Sequence, residues 1–294
     1  MRGQTAIQPT TEQLAPLSAF ERGCFTLIDR LNRNPLTKSA SAAFLRTVGA
    51  GWVSLCTRNL IHLVGLEQLQ RVDHRRGLLL ASNHRSFFDL YVTACWLYQH
   101  TDLLRRVYFP VRAEFFYEQP AGLIVNMLMA AGSMYPPIFR QANKRSFNTY
   151  GVRRVVELLQ QPGSVVGMHP EGRRNKGPDP YDLLPAQPGI GKLVVDAQPS
   201  VVPVFINGLD NNLRRQISAN FLKNGEPIII VVGAPLELDQ LLTAKLSSLR
   251  RQKSIADRIR EAIIELSSYE RALRQRLAEK STSGPAHYAL DELR

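Results

Sequence analysis

The sequence is poor in cysteine, which excludes two common ways of stabilising a small protein. Among its 294 residues the only cysteines are Cys24, Cys56 and Cys95, an odd number with no metal-ligand spacing and no framework of disulfides. We therefore expect buried thiols and a reducing compartment. Apolar residues make up 44% of the chain and charged residues 21%, proportions that predict a packed core and exclude extensive disorder.

Long hydrophobic runs are missing as well. The N-terminus lacks the apolar core of a signal peptide. Residues 119–139 carry no charge, but Pro120, Asn126 and the pair Pro136–Pro137 divide them. The dozen or so apolar residues that remain are fewer than the roughly 20 that a membrane-spanning helix needs. This segment is predicted to be a buried helix followed by a strand.

Acidic residues are scarce relative to basic ones. The chain has 37 Lys and Arg against 25 Asp and Glu, which gives a formal charge of +12 and a pI near 10.0. Such a balance predicts an anionic partner, which can be nucleic acid, a membrane surface or a substrate. The sequence contains neither zinc-finger spacing nor an aromatic-rich RNA-binding signature, so no motif favours nucleic acid.

The chain divides into five parts. Residues 1–16 are polar and predict a mobile arm, and residues 17–62 contain two helical patterns that predict an amphipathic hairpin. The hairpin is compatible with a bilayer interface and equally with packing on the main domain. Residues 63–235 alternate apolar runs with helical patterns. Residues 236–280 predict charged C-terminal helices, and residues 281–294 a mobile tail.

The alternation in the central part predicts an α/β domain, with a mostly parallel central sheet flanked by helices. Ligands of such sheets gather at the carboxyl ends of the strands. The predicted strands are 77–82, 107–111, 134–139, 164–168, 200–206 and 227–233. The predicted helices are 87–99, 120–131, 145–160 and 189–197.

A histidine and an aspartate stand where the first predicted strand gives way to a helix, in the stretch 83–89. His84 follows the strand, the helix is predicted to begin near Ser86, and Asp89 falls in its first turn. A histidine held by a carboxylate can take a proton from an alcohol. The alternative is that Ser86 and Asp89 only cap the helix and that His84 is an ordinary turn residue.

A second polar stretch, "HPEGRRN", follows the predicted strand 164–168. Its proline and glycine predict a tight turn from which Glu171, Arg173 and Arg174 project. Arginines on such a loop can bind phosphate through two parallel hydrogen bonds, although a plain surface turn is the alternative. Arg140 ends another predicted strand and is either a further cation on this face or one more surface arginine. Signals that converge on one sheet edge carry more weight together than singly.

Three stretches together resemble the motifs of the glycerolipid acyltransferase family, the lysophosphatidic acid acyltransferase-like enzymes. "NHRSFFD" (83–89) is similar to the first motif, in which four residues separate His and Asp. "HPEGRRN" (169–175) resembles the third motif, Phe-Pro-Glu-Gly-Thr-Arg-Ser, and "VVPVFING" (201–208) the fourth, a Val-Pro-Val-type strand. The similarity extends over about residues 64–233.

The resemblance implies a role for individual residues. It makes His84 the general base and Asp89 the residue that orients it. The N-terminal helix pair resembles the interfacial anchor of bacterial members. The residues that it assigns to substrate binding are Arg140, Glu171 and Arg174 for the phosphate-bearing acceptor, Gly172 for the turn, and Pro203 for the fit of the acyl chain or donor.

The function implied is transfer of a fatty acyl group from acyl-CoA or acyl carrier protein to the hydroxyl of a lysophospholipid, foremost 1-acylglycerol 3-phosphate. The resemblance implies neither metal nor cofactor, and a peripheral or monotopic position on the cytoplasmic face of a membrane. His169 and Arg173 depart from the family's Phe and Thr, which leaves the acceptor open. Another lysophospholipid, an amino-acid-based lysolipid, glycerol 3-phosphate and a non-catalytic lipid-binding role remain alternatives.

Overall fold

The computed structural model describes residues 7–282, without the side chains of 280–282. Its strands are β1 (Ile61–Val64), β2 (Leu78–Ser82), β3 (Arg106–Tyr108), β4 (Val111–Arg112), β5 (Pro137–Ile138), β6 (Ser164–Met168), β7 (Ser200–Asn207) and β8 (Ile228–Val232). Its helices are α1 (Thr11–Leu14), α2 (Ala19–Arg33), α3 (Pro35–Phe44), α4 (Ala50–Thr57), α5 (Asp89–His100), α6 (Ala113–Phe116), α7 (Pro120–Ala130), α8 (Arg145–Leu159), α9 (Pro188–Ala197), α10 (Leu213–Leu222), α11 (Asp239–Thr243) and α12 (Ser248–Thr282).

The central sheet confirms the predicted α/β class. Six strands are hydrogen-bonded in the order β1-β8-β7-β2-β6-β3, and every neighbouring pair is parallel except β7 with β8. Strands β4 and β5 form a separate parallel pair. The carboxyl ends of β2, β6 and β7 therefore lie side by side in the middle of the sheet, where the sequence placed its polar stretches.

The sheet is buried on both faces, which explains the continuous apolar runs of its strands. Successive side chains of β2 point to opposite faces. Leu79 packs in the layer formed with α2, α8, α9 and α12, and Leu80 packs in the layer formed with α4 and α5. Both leucines are at most 1% exposed.

The N-terminal helices pack against the sheet domain through buried polar contacts. Asp29 of α2 accepts a hydrogen bond from the Tyr150 hydroxyl at 3.0 Å. Lys38 of α3 donates to the carbonyl oxygen of Val107 at 2.8 Å and to the Ser133 hydroxyl at 3.1 Å. Packing on the main domain is thus present, and contact with a bilayer stays a prediction. No helix within residues 7–282 is long and apolar enough to cross a membrane.

The predicted strand 107–111 is wrong as a single element, and Pro110 is the reason. The chain leaves the central sheet after Tyr108, and Phe109 donates its N–H to the carbonyl oxygen of Ser133 at 2.8 Å. Proline has no N–H to continue the ladder, so the next two residues pair with β5 in the small sheet instead. Strand β4 therefore ends at Arg112 and belongs to the small sheet, whereas β3 belongs to the central one.

Both ends of the chain differ in part from the sequence prediction. Residues 1–6 and 283–294 lie outside the described residues, so the predicted mobility of the arm and tail stays untested there. Within the described part of the arm, Thr11–Leu14 form α1, which Thr10 caps and which contacts α8. Strand β1 and helix α10 were not predicted.

We predict that Gly191→Ala lowers the free energy of unfolding by about 1–3 kcal/mol, the usual cost of overpacking. A Cβ at Gly191 would overlap the backbone carbonyl of Gln252 where α9 meets α12. The matched control is Gly189→Ala in the same helix, because a Cβ there meets no atom within 4 Å. Its effect should be neutral or mildly stabilising. Chemical denaturation measures both, and equal costs would contradict the close packing of α9 on α12.

Candidate active site

The register of the sheet brings the polar stretches together. Ala81 of β2 pairs with Met168 of β6, so the residues that follow each strand emerge next to one another. On the other side, the Asn83 side chain donates to the carbonyl oxygen of Ile206 and accepts its N–H, both at 2.9 Å. The turn that carries His84 is therefore held between the ends of β6 and β7.

Asp89 faces His84, as predicted. Its Oδ2 lies 3.4 Å from His84 Nδ1 and accepts the backbone N–H groups of Arg85 and Ser86 at 2.7 Å each. Helix α5 begins at Asp89, later than predicted, because Phe88 is its N-cap and the aspartate turns back onto the preceding loop. Burial raises the pKa of this carboxyl, and the two backbone N–H groups oppose that rise. The same carboxylate thus holds the loop before α5 and pairs with His84, and among residues 7–282 no side chain caps α5.

Glu171 does not project from its turn, and that prediction is wrong. The side chain is buried, and its two oxygens accept the backbone N–H groups of His84 at 2.8 Å and Leu184 at 2.9 Å. Burying a carboxylate requires such donors, and here they come from the chain itself. Gly172 has a φ of +66°, the conformation that the tight turn requires. Glu171 therefore fixes the backbone of His84.

The imidazole of His84 is electrically neutral near pH 7. Burial, followed by the charges of Arg174 and Arg112, lowers its pKa from the usual value to about 4. Asp89 Oδ2 already accepts two backbone N–H groups, so we assign it as the acceptor in its contact with Nδ1, which leaves Nε2 of the neutral ring as the free base. The ring of His169 stacks on it, with centroids 3.8 Å apart and planes within 5° of parallel. A neutral imidazole with an orienting carboxylate is what general-base catalysis needs.

Arg174 is held at the site by uncharged groups. Its guanidinium lies 4.0 Å from the centre of the Phe87 ring, and one nitrogen donates to Asn211 Oδ1 at 2.9 Å. The same oxygen accepts the backbone N–H of Phe87 at 3.1 Å. The Arg174 charge thus remains available for an anion. Sequence reasoning missed Asn211, which lies in the loop after β7 with no local signal to mark it.

A second pair of arginines extends the positive charge. Arg112 ends β4 and Arg140 closely follows β5, and because these strands are parallel both arginines lie at the same end. They line a cavity of about 370 Å³ together with Glu114 and Glu118. Arg112 also donates to the carbonyl oxygen of Gly172 at 3.3 Å, which joins this cavity to the turn after β6. Arg112 was missed because the sequence prediction merged β4 with β3.

Pro203 does not belong to this cluster. It lies buried within β7, opposite Ala81, and its ring packs so close to Gly233 that a Cβ there would come within 2.8 Å of it. The predicted role of Pro203 in the fit of the acyl chain or donor stays a prediction. The predicted site residues that the structure brings to one edge of the sheet are His84, Asp89, Arg140, Glu171, Gly172 and Arg174.

Comparison with known proteins gives one family match. A family model described as Acyltransferase matches residues 61–207, half of the chain. No curated protein matches. Among solved structures, the 1-acyl-sn-glycerophosphate (LPA) acyltransferase PlsC from Thermotoga maritima is similar, with 15% sequence identity and a TM-score of 0.46. The match covers 86% of this chain and 92% of that one.

We predict that Arg174→Gln raises the pKa of His84 by roughly half a unit to one unit. Removing a nearby positive charge favours the imidazolium, so the titration moves upward from about 4. Histidine NMR signals followed against pH measure the shift, with His84→Ala to assign the resonance. Arg173→Gln is the matched control, because its exposed neighbouring side chain is not among the causes that lower this pKa. A larger shift in the control would contradict the assignment of the field to Arg174.

Proposed function

Because the chain belongs to the acyltransferase family, we propose that it moves a fatty acyl group from a thioester to the hydroxyl of a lysophospholipid, foremost 1-acylglycerol 3-phosphate. The donor in this proposal is acyl-CoA or acyl carrier protein. One observation carries the proposal: a neutral His84 is paired with Asp89 beside arginines that face solvent. A base next to cations suits an acceptor in which a hydroxyl and an anionic group belong to the same molecule.

The chemistry needs no nucleophile from the protein. His84 Nε2 takes the proton from the acceptor hydroxyl while the oxygen attacks the thioester carbonyl, and Asp89 stabilises the resulting imidazolium. The tetrahedral intermediate collapses, the carbon–sulfur bond breaks, and the thiolate takes the proton back from His84. The products are the acyl ester and the free thiol, and the histidine is neutral again.

The arginines favour an acceptor with a phosphate group. Four arginines near the site form no salt bridge with a carboxylate among residues 7–282: Arg112, Arg140, Arg173 and Arg174. Glu114 and Glu118 lie in the cavity of Arg112 and Arg140 and offset part of their charge, whereas Arg173 and Arg174 lie outside that cavity. A phosphate monoester offers three oxygens and close to two charges to such a cluster. Holding this remote group places the reacting hydroxyl at the base. The other lysolipid acceptors and glycerol 3-phosphate follow the same chemistry and are the alternatives.

We predict that His84→Ala lowers acyl transfer from labelled acyl-CoA to 1-acylglycerol 3-phosphate by at least about 100-fold, the usual scale for loss of a general base. The matched control is His74→Ala. His74 is an exposed histidine in the loop before the amino end of β2, away from the site, and its removal should leave the rate unchanged.

The same assay discriminates between acceptors. A monoacylglycerol without phosphate should be a poor acceptor, and a zwitterionic lysophospholipid an intermediate one. Full activity of His84→Ala would overturn the mechanism. Equal rates with and without the phosphate would overturn the role given to the arginines, and absence of transfer in the wild type to every acceptor would favour the non-catalytic alternative.

We also propose peripheral binding to the cytoplasmic face of a membrane. Leu36 of α3 and Leu128 of α7 are 81% and 70% exposed, unusual for leucine, and the chain carries a formal charge of +12. Exposed leucines on a chain with a large net positive charge suit an interface with anionic lipid.

We predict that the protein sediments with vesicles that contain anionic lipid, and that raising the salt from about 0.1 M to about 1 M weakens binding because it screens the charges. Leu128→Ser should weaken binding further. Leu249→Ser is the matched control, since this leucine is 67% exposed and belongs to α12, which packs on α9, β7 and β8. Binding that depends on neither salt nor anionic lipid would contradict the electrostatic part. Equal effects of the two serine variants would contradict the surface assigned.

A further inference from the structure

We propose that His169 is a positioning residue, whose ring covers one face of the His84 imidazole and fixes its plane for proton transfer. The inference rests on the proposed function only where it concerns the rate of acyl transfer. The contact itself belongs to the free protein and is testable without substrate.

The stacked ring is held by the sheet. His169 directly follows the last residue of β6, and its Nδ1 lies 3.0 Å from the carbonyl oxygen of Ser82, the last residue of β2. Since a carbonyl only accepts, Nδ1 is the donor and Nε2 carries no proton. This hydrogen bond connects the ends of two neighbouring strands. It leaves the His169 ring stacked on the His84 ring, with the ring centroids 3.8 Å apart and an angle of 5° between the planes.

The other contacts of His84 restrain its backbone more than the orientation of its ring. Glu171 fixes its backbone N–H at 2.8 Å, but the side chain still turns about two bonds. Its contact with Asp89 is long, at 3.4 Å, and that oxygen also accepts two backbone N–H groups. The His169 ring blocks rotation toward one side and keeps water from one face, so Nε2 is presented in one direction.

The same contact shows why His169 is not a second base. Burial, and then the neighbouring His84, lower the pKa of His169 to about 3. Its Nδ1 is already engaged by the carbonyl oxygen of Ser82, and two stacked imidazolium rings would repel each other, so the site takes up a single proton. The charged and titratable groups that face or surround His84 are His169 after β6, Asp89 at the start of α5, Glu171 and Arg174 in the turn after β6, and Arg112 at the end of β4.

Three substitutions at His169 distinguish the effect of the stacked ring from the effect of the hydrogen bond to Ser82. His169→Phe keeps a flat ring and loses the donor to Ser82. His169→Asn keeps an N–H donor near the position of Nδ1 and loses the ring, and His169→Ala loses both. If the stacked face matters, the phenylalanine variant resembles wild type, and the asparagine and alanine variants resemble each other.

The test without substrate is the titration of His84 by NMR between pH 5 and 8, with circular dichroism to confirm the fold of each variant. In wild type and His169→Phe the His84 signal should stay that of the neutral ring down to pH 5. In His169→Asn and His169→Ala water reaches the open face, so the pKa should rise by at least one unit and the titration enter this range. The proposal is overturned if the pKa of His84 in His169→Ala equals that of wild type. It is also overturned if the pKa of His84 is unchanged in His169→Asn but raised in His169→Phe.

The second test is the rate of acyl transfer. We expect kcat to fall at least tenfold in His169→Asn and His169→Ala, with the KM for the acceptor within twofold of wild type, and to stay within threefold in His169→Phe. An unchanged kcat in the alanine variant overturns the positioning role while the proposed function stands. Absence of transfer in the wild type, with the NMR shifts as expected, overturns the proposed function while the stacking inference stands.

Discussion

Parallel pairing of β2 with β6 places residues that are 87 positions apart in the sequence beside each other, and two hydrogen bonds around the base repeat that offset. Ser82 accepts from His169, and His84 donates to Glu171. The "NHRSFFD" and "HPEGRRN" stretches are therefore two halves of one structure, joined by backbone geometry. A one-residue slip of this pairing would turn each side chain to the opposite face and separate the base from its supports.

The site separates two electrostatic tasks that would interfere if they shared the same groups. The base and its carboxylate lie in a mostly buried place, where the imidazole is kept neutral. The arginines stand outside, at the ends of β4 and β5 and in the turn after β6, where solvent limits the cost of their charge. Their field lowers the pKa of His84 in the free protein. An anionic acceptor bound among them would offset that field and make the histidine a stronger base, so substrate binding and base strength would rise together.

The fold and much of the site could be predicted because they depend on local patterns. Apolar runs bounded by turns predicted the bounds of β2, β6 and β7 within a residue or two. The position of His84, Asp89 and Arg174 just after predicted strands marked them as candidate site residues. The misses depend on pairing between distant segments. The Glu171 carboxylate is turned inward by N–H groups that no local pattern reveals, Arg112 reaches the site because Pro110 diverts the chain, and Asn211 acts through a loop contact.

For the N-terminal hairpin, the sequence pattern determines less of the tertiary structure than elsewhere. The pattern of an amphipathic helix shows which face is apolar, but not whether lipid or protein covers that face. In the structure Asp29 and Lys38 make buried hydrogen bonds to Tyr135 and Ser133, in the segment that leads directly to β5 and Arg140. Separating the hairpin from the sheet domain would break these buried hydrogen bonds and leave the Asp29 carboxylate and the Lys38 amine to find other partners, so the contacts resist that separation. The surface around Leu36, for which we propose contact with lipid, is thereby joined through one short segment to Arg140, for which we propose contact with the acceptor. In the proposed function, membrane contact and acceptor binding are parts of one rigid arrangement.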